Sequence, residues 1–378
     1  MRMKILIWIP YRTSLAPSRH HLLPLLCKMS QRGHEITIIT SLRDYEINRL
    51  TFKGPLPSEG GSIISRIRHA FSELLKQINN EYDIVICSKA LPSSLGTLYP
   101  FYKLKMLPPL VLHVDDYEVD FVKSRTNIPL LPLIYKFIMY NAKSINLTIA
   151  ASFGLFQLYK RITKNVVYLP CSTNLDVFNP YTYKEHQRSS EIPKFMWCGS
   201  IDEHFENLML LFHAVRLSKS KFKVIIIGGG KKLVELRKVV SILGISGKVE
   251  FKGKVEHEVL PQVLSEGDFA VLPLTRTLLN SCKAPIKLFE YMAMCLPIIA
   301  TDVGEPAYMI RKIGNGIVVK DSNEMAEAMD NFVYEEKYWK AKGILGRKYM
   351  EEKQNWNVLS KCLEDLLSNL LQDQAWKR

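Results

Sequence analysis

Two charged residues one helical turn apart, Lys287 and Glu290, are the strongest candidates for chemistry in this chain. They lie in the segment KAPIKLFEYMAMCLPIIATDVGEPAYMI, where Pro285 suits a first helical turn and the spacing of three places both charges on one face. A helix N-terminus with a lysine beside it favours anions, and a carboxylate one turn on accepts hydrogen bonds from hydroxyl groups. The pattern predicts a ligand with phosphates at one end and a polyol beside them. The alternative is a surface ion pair on an ordinary helix.

A second candidate is the pair of adjacent carboxylates, Asp115 and Asp116, which follows the apolar run Leu110–Val114. Open α/β sheets keep their functional residues at the carboxyl ends of strands. Two enclosed carboxylates raise one another's pKa, which favours accepting a proton from a hydroxyl group. We assign Asp116 as the catalytic base and Asp115 as its support. The alternative is that an aspartate here caps the N-terminus of a helix.

Short apolar strands alternate with amphipathic helices along the whole chain, which predicts an α/β protein with parallel sheets covered by helices. The first half holds the predicted strands Lys4–Ile9, Glu35–Thr40, Asp83–Cys87, Leu110–Val114, Leu147–Ala150 and Val166–Leu169. The pattern starts afresh in the second half, with predicted strands at Phe195–Cys198, Lys223–Ile227, Val249–Phe251, Phe269–Leu272 and Ile298–Thr301.

The 378 residues suit two domains of ordinary size. The stretch 178–193 is polar, carries prolines near both ends and lacks an apolar period, so we interpret it as the linker. The N-terminal domain is therefore expected at 1–177 and the C-terminal domain at 194–354. A last helix is expected at about 355–378, where Trp356, Leu359, Leu363, Leu366, Leu367 and Leu370 form an apolar stripe.

The segment from Pro285 resembles the donor-binding signature of the GT-B glycosyltransferases, most closely glycosyltransferase family 4, also called group 1. The family pattern runs roughly Pro-x-Lys-x-x-Glu-Tyr-Met-Ala-x-Gly-x-Pro, followed by a strand and a glycine turn. This chain keeps the order and spacing, with Cys295 where the family has glycine. The resemblance covers nearly the whole chain. It implies two Rossmann-like domains that face a cleft, with the final helix packing back onto the first domain.

The resemblance also implies which residues bind the donor. The family commonly uses an arginine and a lysine after the first strand of the second domain, where this chain has Gly199-Ser200 and Glu206-Asn207. Its first motif glutamate is Cys282 here, which leaves Asn280, Ser281 or a backbone amide for the sugar contact. Arg19 offers a guanidinium fork that suits phosphate oxygens. The expected donor-binding residues are Lys287, Glu290, Arg19, Gly199, Ser200, Ser281 and Gly304.

The function that the resemblance implies is retaining transfer of a sugar from a nucleotide diphosphate sugar to a cell-envelope polysaccharide or glycolipid acceptor. The nucleotide sugar is a substrate, so no cofactor is expected. No metal is expected either, because no metal-ligand spacing is present and GT-B enzymes as a class do not need one. One alternative is a catalytically silent GT-B subunit that supports a partner enzyme, since the usual arginine and lysine are missing. Another is a sugar-nucleotide epimerase, which requires two glutamates and a histidine that the sequence does not reveal. The donor, the acceptor, the linkage and the oligomeric state stay open.

The net charge of +14 favours anionic partners such as nucleotide diphosphates and lipid-linked glycan acceptors, unless it serves solubility alone. Nucleic acid is not expected, because no basic cluster with stacking aromatic residues is present. The segments Ile63–Ile78 and Ile128–Tyr140 combine apolar and basic side chains, which permits contact with an anionic membrane surface. The alternative is that these apolar residues face the core.

The seven cysteines contain no CxxC pair and their number is odd, which is typical of a reduced, cytoplasmic protein without a disulfide framework or zinc site. The apolar run in MRMKILIWIPYR is too short for a signal peptide, and no stretch offers the ~20 apolar residues that a membrane helix needs. We therefore expect a cytoplasmic protein that can lie at the inner face of the membrane.

Overall fold

The computed structural model describes residues 2–9, 21–40, 50–53, 63–78, 80–123, 128, 130–186 and 192–373. These residues form two compact units. Unit 1 comprises the described residues of Met1–Cys171, Cys282–Ala284 and Trp356–Arg378. Unit 2 comprises those of Ser172–Ser281 and Pro285–Asn355.

The strands are β1 (Lys4–Ile9), β2 (Glu35–Thr40), β3 (Thr51–Lys53), β4 (Ile84–Ser88), β5 (Leu110–Val114), β6 (Leu147–Ala150), β7 (Val166–Tyr168), β8 (Lys194–Cys198), β9 (Lys223–Ile227), β10 (Val249–Gly253), β11 (Phe269–Leu272), β12 (Ile298–Thr301) and β13 (Gly316–Val319). The helices are α1 (Leu22–Gln31), α2 (Ile63–Gln77), α3 (Leu95–Lys103), α4 (Glu118–Lys123), α5 (Leu131–Tyr140), α6 (Phe153–Lys160), α7 (Ile201–Leu217), α8 (Leu233–Ile242), α9 (Leu260–Ser265), α10 (Leu278–Cys282), α11 (Ile286–Ala293), α12 (Gly304–Ile313), α13 (Ser322–Tyr334), α14 (Glu336–Lys353) and α15 (Trp356–Gln372). Short 3₁₀ turns lie at Asn141–Ser144 and Pro180–His186.

Unit 1 is built on a parallel sheet of seven strands in the order β3-β2-β1-β4-β5-β6-β7. Alternate residues of β1 point to opposite faces, as the strand period requires. Leu6 and Trp8 belong to the core on one face, while Ile5 and Ile7 belong to the core that contains α1 and α15. Because both faces are covered, the central strands are mainly apolar.

The last helix, α15, completes the core of unit 1. Leu359, Leu363 and Leu367 are buried, as the apolar stripe predicts, and they join the same core cluster as residues of α1. The Glu364 carboxylate contacts two residues that follow α1. It accepts a hydrogen bond of 2.6 Å from Arg32 Nε, and its second oxygen lies 3.0 Å from His34 Nε2. These contacts hold α15 against the C-terminal end of α1.

Unit 2 is built on a parallel sheet of six strands in the order β10-β9-β8-β11-β12-β13. Its core is aromatic at the centre, where the ring centroids of Phe195 and Phe269 lie 4.9 Å apart and those of Phe269 and Phe332 lie 5.1 Å apart. Such aromatic pairs supply a large buried area in few residues.

The structure places the change of unit between Cys171 and Ser172, ahead of the expected linker. Phe178, the first residue of that linker, is fully buried, and its carbonyl oxygen accepts a hydrogen bond of 2.6 Å from Arg347. The turn Pro180–His186 likewise belongs to unit 2, while 187–191 lie outside the described residues. The polar composition of 178–193 thus did not reveal that Phe178 is buried and that its backbone carbonyl oxygen binds Arg347.

Most predicted strands are confirmed within one or two residues, whereas β3, β13, α3, α4, α10, α12 and α13 were missed. β3 has three residues and α3 contains Pro100, so neither shows the usual periodic pattern. No helix among the described residues is both long and apolar enough to cross a membrane.

Candidate functional site

Helix α11 carries the predicted lysine and glutamate into the interior of unit 2. Pro285 is its N-cap, with an extended ψ of 118°, and all residues from Lys287 to Ala293 are buried. Lys287 is 9% exposed and Glu290 is 4% exposed. A solvated surface ion pair is therefore wrong for these residues. Burying two charges is costly unless each has a defined environment, which points to a site.

The ammonium of Lys287 lies over the indole ring of Trp197, 4.4 Å from the ring centroid. Gly199 follows β8, and an ideal Cβ built on it would lie only 2.6 Å from the Lys287 Nζ. The glycine thus leaves the space that the ammonium occupies. Cation–π attraction of this kind contributes on the order of 1 kcal/mol and directs the charge.

The loops after β8 and β9 pack against each other through the backbone atoms of glycine residues. An ideal Cβ on Gly228 would lie 1.9 Å from the carbonyl oxygen of Gly199, so only glycine fits there. The Asp202 carboxylate accepts hydrogen bonds from the backbone N–H groups of Lys231 (3.0 Å) and Lys232 (2.9 Å), and these hold the second loop. Ser200 is exposed as the N-cap of α7.

The carboxylate of Glu290 meets a histidine that the sequence analysis did not assign to the site. His257 Nε2 lies 2.8 Å from Glu290 Oε1, and the imidazole ring packs 5.3 Å from the Phe178 ring, centroid to centroid. Of the two glutamates and one histidine that an epimerase requires, the structure thus brings together one glutamate and one histidine. His257 lies 33 residues before Glu290, so no local spacing could have revealed the pair.

Ser281 and Gly304 are neighbours in unit 2. An ideal Cβ on Gly304 would lie 2.6 Å from the Ser281 carbonyl oxygen, and Gly304 has a φ of +56°. The Ser281 hydroxyl donates to the Thr277 carbonyl oxygen (2.8 Å). The alternative sugar-binding residue, Asn280, is buried and donates to the carbonyl and hydroxyl oxygens of Thr275, both at 2.9 Å. Asn280 thus serves the local fold, which leaves Ser281 as the more accessible of the two.

Three of these positions lie on the same edge of the unit 2 sheet. Gly199 follows β8, Ser281 follows β11 and Gly304 follows β12, and these three strands are adjacent in the order β8-β11-β12. In a parallel sheet this edge is formed by the carboxyl ends of the strands, where α/β proteins bind ligands.

In unit 1 the two predicted carboxylates belong to a larger charged cluster. Lys89 Nζ lies 3.1 Å from Asp115 Oδ1, 2.8 Å from Asp116 Oδ2 and 2.7 Å from Glu118 Oε1. Helix α4 begins at Glu118, which places Tyr117 and not an aspartate at the N-cap position. Both aspartates pair with Lys89, so Lys89 and Glu118 join the candidate site.

Burial governs the proton affinity of this cluster. It raises the pKa of Asp116 and of Glu118, while Lys89 acts in the opposite direction on both. A carboxyl group whose pKa is raised toward neutrality is suited to accept and release protons.

Two buried histidines lie beside the cluster. His21 Nδ1 is 2.6 Å from His113 Nε2 and the rings stack with centroids 4.8 Å apart. Burial is the main reason that the pKa of each falls from 6.5 to about 3. His113, inside β5, is fully buried. Arg19 lies outside the described residues, so its assignment to the donor stays a prediction.

Comparison with known proteins agrees with this geometry. Residues 192–334 match the family model of the glycosyl transferases group 1. The chain is 31% identical over 111 residues to the alpha-D-kanosaminyltransferase of Streptomyces kanamyceticus, covering 29% of this chain and 28% of the relative. It is 24% identical over 211 residues to a GDP-mannose-dependent alpha-(1-6)-phosphatidylinositol monomannoside mannosyltransferase of Mycobacterium tuberculosis, covering 53% of this chain and 55% of the relative. The matches thus span about half or less of these relatives.

The whole chain also superposes on a solved structure. The protein HepE of Anabaena, in complex with UDP and glucose, is 13% identical and matches with a TM-score of 0.69, covering 97% of this chain and 100% of that chain. The chain has the GT-B fold and resembles the group 1 glycosyltransferases. Its fold class is the α/β class that the resemblance implied.

The backbone conformation at Cys295 explains why this chain departs from the family pattern there. The residue has a φ of +58°, a left-handed conformation that favours glycine. Burial raises the pKa of its thiol to about 11. Cys295 is therefore a glycine substitute with a protonated thiol at neutral pH, which does not suit a nucleophile.

Proposed function

We propose that this protein is a retaining glycosyltransferase that moves a sugar from a nucleotide diphosphate sugar to a cell-envelope polysaccharide or glycolipid acceptor. The observation that carries the proposal is the buried ammonium of Lys287, held between Trp197 and Gly199 in the first turn of α11, with Glu290 one turn further on. The names of the relatives support the same class, since both are sugar transferases.

At the donor, Lys287 and the N-terminus of α11 bind the diphosphate and stabilise the negative charge that grows on it as the glycosidic bond breaks. Glu290 accepts hydrogen bonds from the ribose hydroxyl groups. Gly199, Ser200, Ser281 and Gly304 let the donor approach the backbone at the carboxyl edge of the sheet, and Arg19 is proposed as a further phosphate ligand. Fixed protein charges supply the neutralisation, so the proposal includes no cofactor and no metal.

At the acceptor, Asp116 takes the proton of the attacking hydroxyl group, with Asp115 as its support. The new bond forms between that oxygen and the anomeric carbon on the face from which the diphosphate leaves, which retains the configuration. The raised pKa of Asp116 suits this role, because a carboxylate that is too acidic is a weak base.

The acceptor side includes an apolar surface on α5. Leu130, Leu133, Ile134 and Phe137 are 67%, 60%, 47% and 70% exposed, and their spacing places them along one stripe. Lys136 on the same helix and Lys143 just after it are also exposed. We propose that this surface contacts an anionic membrane at its cytoplasmic face, where a lipid-linked acceptor would lie. Helix α2 instead buries Ala70 and Leu74 in the core.

Calorimetric titration with UDP and GDP, in buffer with EDTA, tests the donor site. We expect one nucleotide to bind, and Lys287→Met to weaken it by about tenfold or more (~1.4 kcal/mol). Methionine keeps a long, unbranched side chain and removes the charge. Lys254→Ala, at a side chain that is 79% exposed in the same unit, is the matched control and should leave the affinity unchanged.

The contrary outcomes separate the alternatives. If a folded protein binds none of UDP, GDP, ADP and dTDP, the silent-subunit hypothesis replaces the proposal. If a nucleotide sugar is converted to its epimer without any acceptor, the His257–Glu290 pair belongs to an epimerase site.

Vesicle sedimentation tests the membrane contact. We expect binding to vesicles that contain phosphatidylglycerol, weaker binding to pure phosphatidylcholine, and loss of binding in Leu133→Asp/Phe137→Asp. Ile242→Asp, at a side chain of unit 2 that is 83% exposed, is the control. Equal binding of the double variant and the wild type would remove α5 from the proposal.

A further inference from the structure

Lys89 adopts a backbone conformation that a lysine rarely takes. It follows β4 directly and has a φ of +66°, in the left-handed region that favours glycine. Its N–H group donates a hydrogen bond of 2.8 Å to the His113 carbonyl oxygen at the end of the neighbouring strand. A strained conformation of a non-glycine residue persists only where the surrounding structure holds it in place.

The side chain reaches three carboxylates at once. The ammonium has three donor hydrogens, and oxygens of Asp115, Asp116 and Glu118 lie within 2.7–3.1 Å of Nζ. Only 11% of the lysine side chain is exposed, and 1% of that of Asp115. One positive charge thus stands at the centre of three acidic groups.

The oxygens are close enough to share a cation. One oxygen from each of the three acidic residues lies within 4.8 Å of the others. Three carboxylates around one site resemble the oxygen-ligand sets that hold divalent cations in proteins. Here the lysine ammonium stands in that place.

We propose that Lys89 is a positioning residue whose ammonium serves as a built-in counter-ion, and that it holds the Asp116 carboxylate in the orientation used for the acceptor. The functional part rests on the proposed role of Asp116. The lysine itself touches neither donor nor acceptor, so its effect reaches the reaction through Asp116.

Replacement by glycine tests the counter-ion role. Lys89→Gly suits the left-handed backbone and leaves a vacant space lined by the three carboxylates. We expect calcium to bind Lys89→Gly with a stoichiometry of one in a calorimetric titration and to raise its melting temperature, whereas the wild type responds to neither measurement. A folded Lys89→Gly protein that binds no calcium would overturn the proposal.

A charge-matched variant covers the case in which the single variant does not fold. Lys89→Gly/Glu118→Gln keeps the formal charge of the cluster equal to that of the wild type, because one charge of each sign is removed. We expect it to fold and to bind calcium about tenfold or more weakly than an intact set of three carboxylates, since fewer charged ligands remain. Failure of this variant to fold would show that Lys89 maintains structure rather than orientation, and would overturn the proposal.

Activity and nucleotide binding separate this inference from the proposed function. With the nucleotide sugar selected by calorimetry, we expect Lys89→Gly to lower kcat for hydrolysis or transfer with little change in donor KM, and calcium to restore part of the loss. Nucleotide binding by unit 2 should match the wild type. A fall in kcat that calcium does not restore, despite calcium binding, would leave Lys89 a counter-ion without a positioning role.

Discussion

The ammonium of Lys287 stands 4.4 Å above the centre of the Trp197 ring, in a space that exists because residue 199 has no side chain. Trp197 and Gly199, which are distant in sequence from Lys287, thus define the position of its charge. The relationship makes the donor site sensitive to changes that remove no charge at all.

Gly199→Ala should therefore weaken nucleotide binding by about tenfold, because its Cβ would lie 2.6 Å from Nζ and push the ammonium aside. Gly244→Ala is the matched control. Gly244 also has a positive φ (+69°), but nothing lies within 4 Å of an added Cβ. Calorimetry should show lower affinity in the first variant alone, while both lose about 1 kcal/mol of stability from backbone strain. Equal affinity in the two variants would contradict the role of Gly199.

Glu290→Gln should weaken nucleotide binding while keeping the protein folded. The amide keeps the shape of the side chain and an oxygen that faces His257, but it accepts ribose hydrogen bonds less strongly than a carboxylate. We expect an affinity loss of about threefold to tenfold for the full nucleotide. Inorganic pyrophosphate, which has no ribose, should bind both proteins equally. Glu327→Gln, on the exposed side of α13, is the control.

The buried histidine pair predicts how stability depends on pH. His21 and His113 have a pKa of about 3 in the folded protein and about 6.5 when unfolded, so the unfolded chain binds more protons between these values. The free energy of unfolding therefore falls as the pH drops from about 6.5 toward 3, by up to ~1.4 kcal/mol per pH unit for each histidine.

Urea unfolding at several pH values measures this slope. Between pH 4 and 6, His113→Gln should reduce the slope of the free energy of unfolding against pH by ~1.4 kcal/mol per pH unit, which is the contribution of one proton. His213→Gln, at an exposed position of α7, should leave the slope unchanged. The raised pKa values of Asp116 and Glu118 act in the opposite direction, so the difference between variants is the informative quantity. An unchanged slope in His113→Gln would show that the imidazole is not held neutral.

Cys295→Gly should raise the free energy of unfolding by about 1 kcal/mol. The residue has a φ of +58°, which glycine adopts without strain, although glycine also loses more chain entropy on folding. Cys295→Ala removes the sulfur and keeps the strain, so it separates the two effects. Thermal unfolding of the three proteins provides the comparison, and a Cys295→Ala protein as stable as Cys295→Gly would contradict the strain argument.

The sequence was sufficient for features with a local signature. The strand–helix alternation predicted the α/β class and most strands, and the segment from Pro285 predicted a helix with Lys287 and Glu290 on one face. The same approach missed His257, Lys89 and His21, because each meets its partner across a long sequence separation. A lysine directly after the buried strand IVICS was the available signal for Lys89, since carboxyl ends of strands are where functional side chains collect.

The position of α15 in unit 1 also bears on how the chain acquires its structure during synthesis. Leu359, Leu363 and Leu367 complete a core whose other buried members lie between Met3 and Leu169. The ribosome must therefore produce all of Ser172–Asn355 before the first-made unit can close. Until α15 emerges, the apolar face of unit 1 that this helix covers stays exposed on the nascent chain, and exposed apolar surface of this kind favours aggregation.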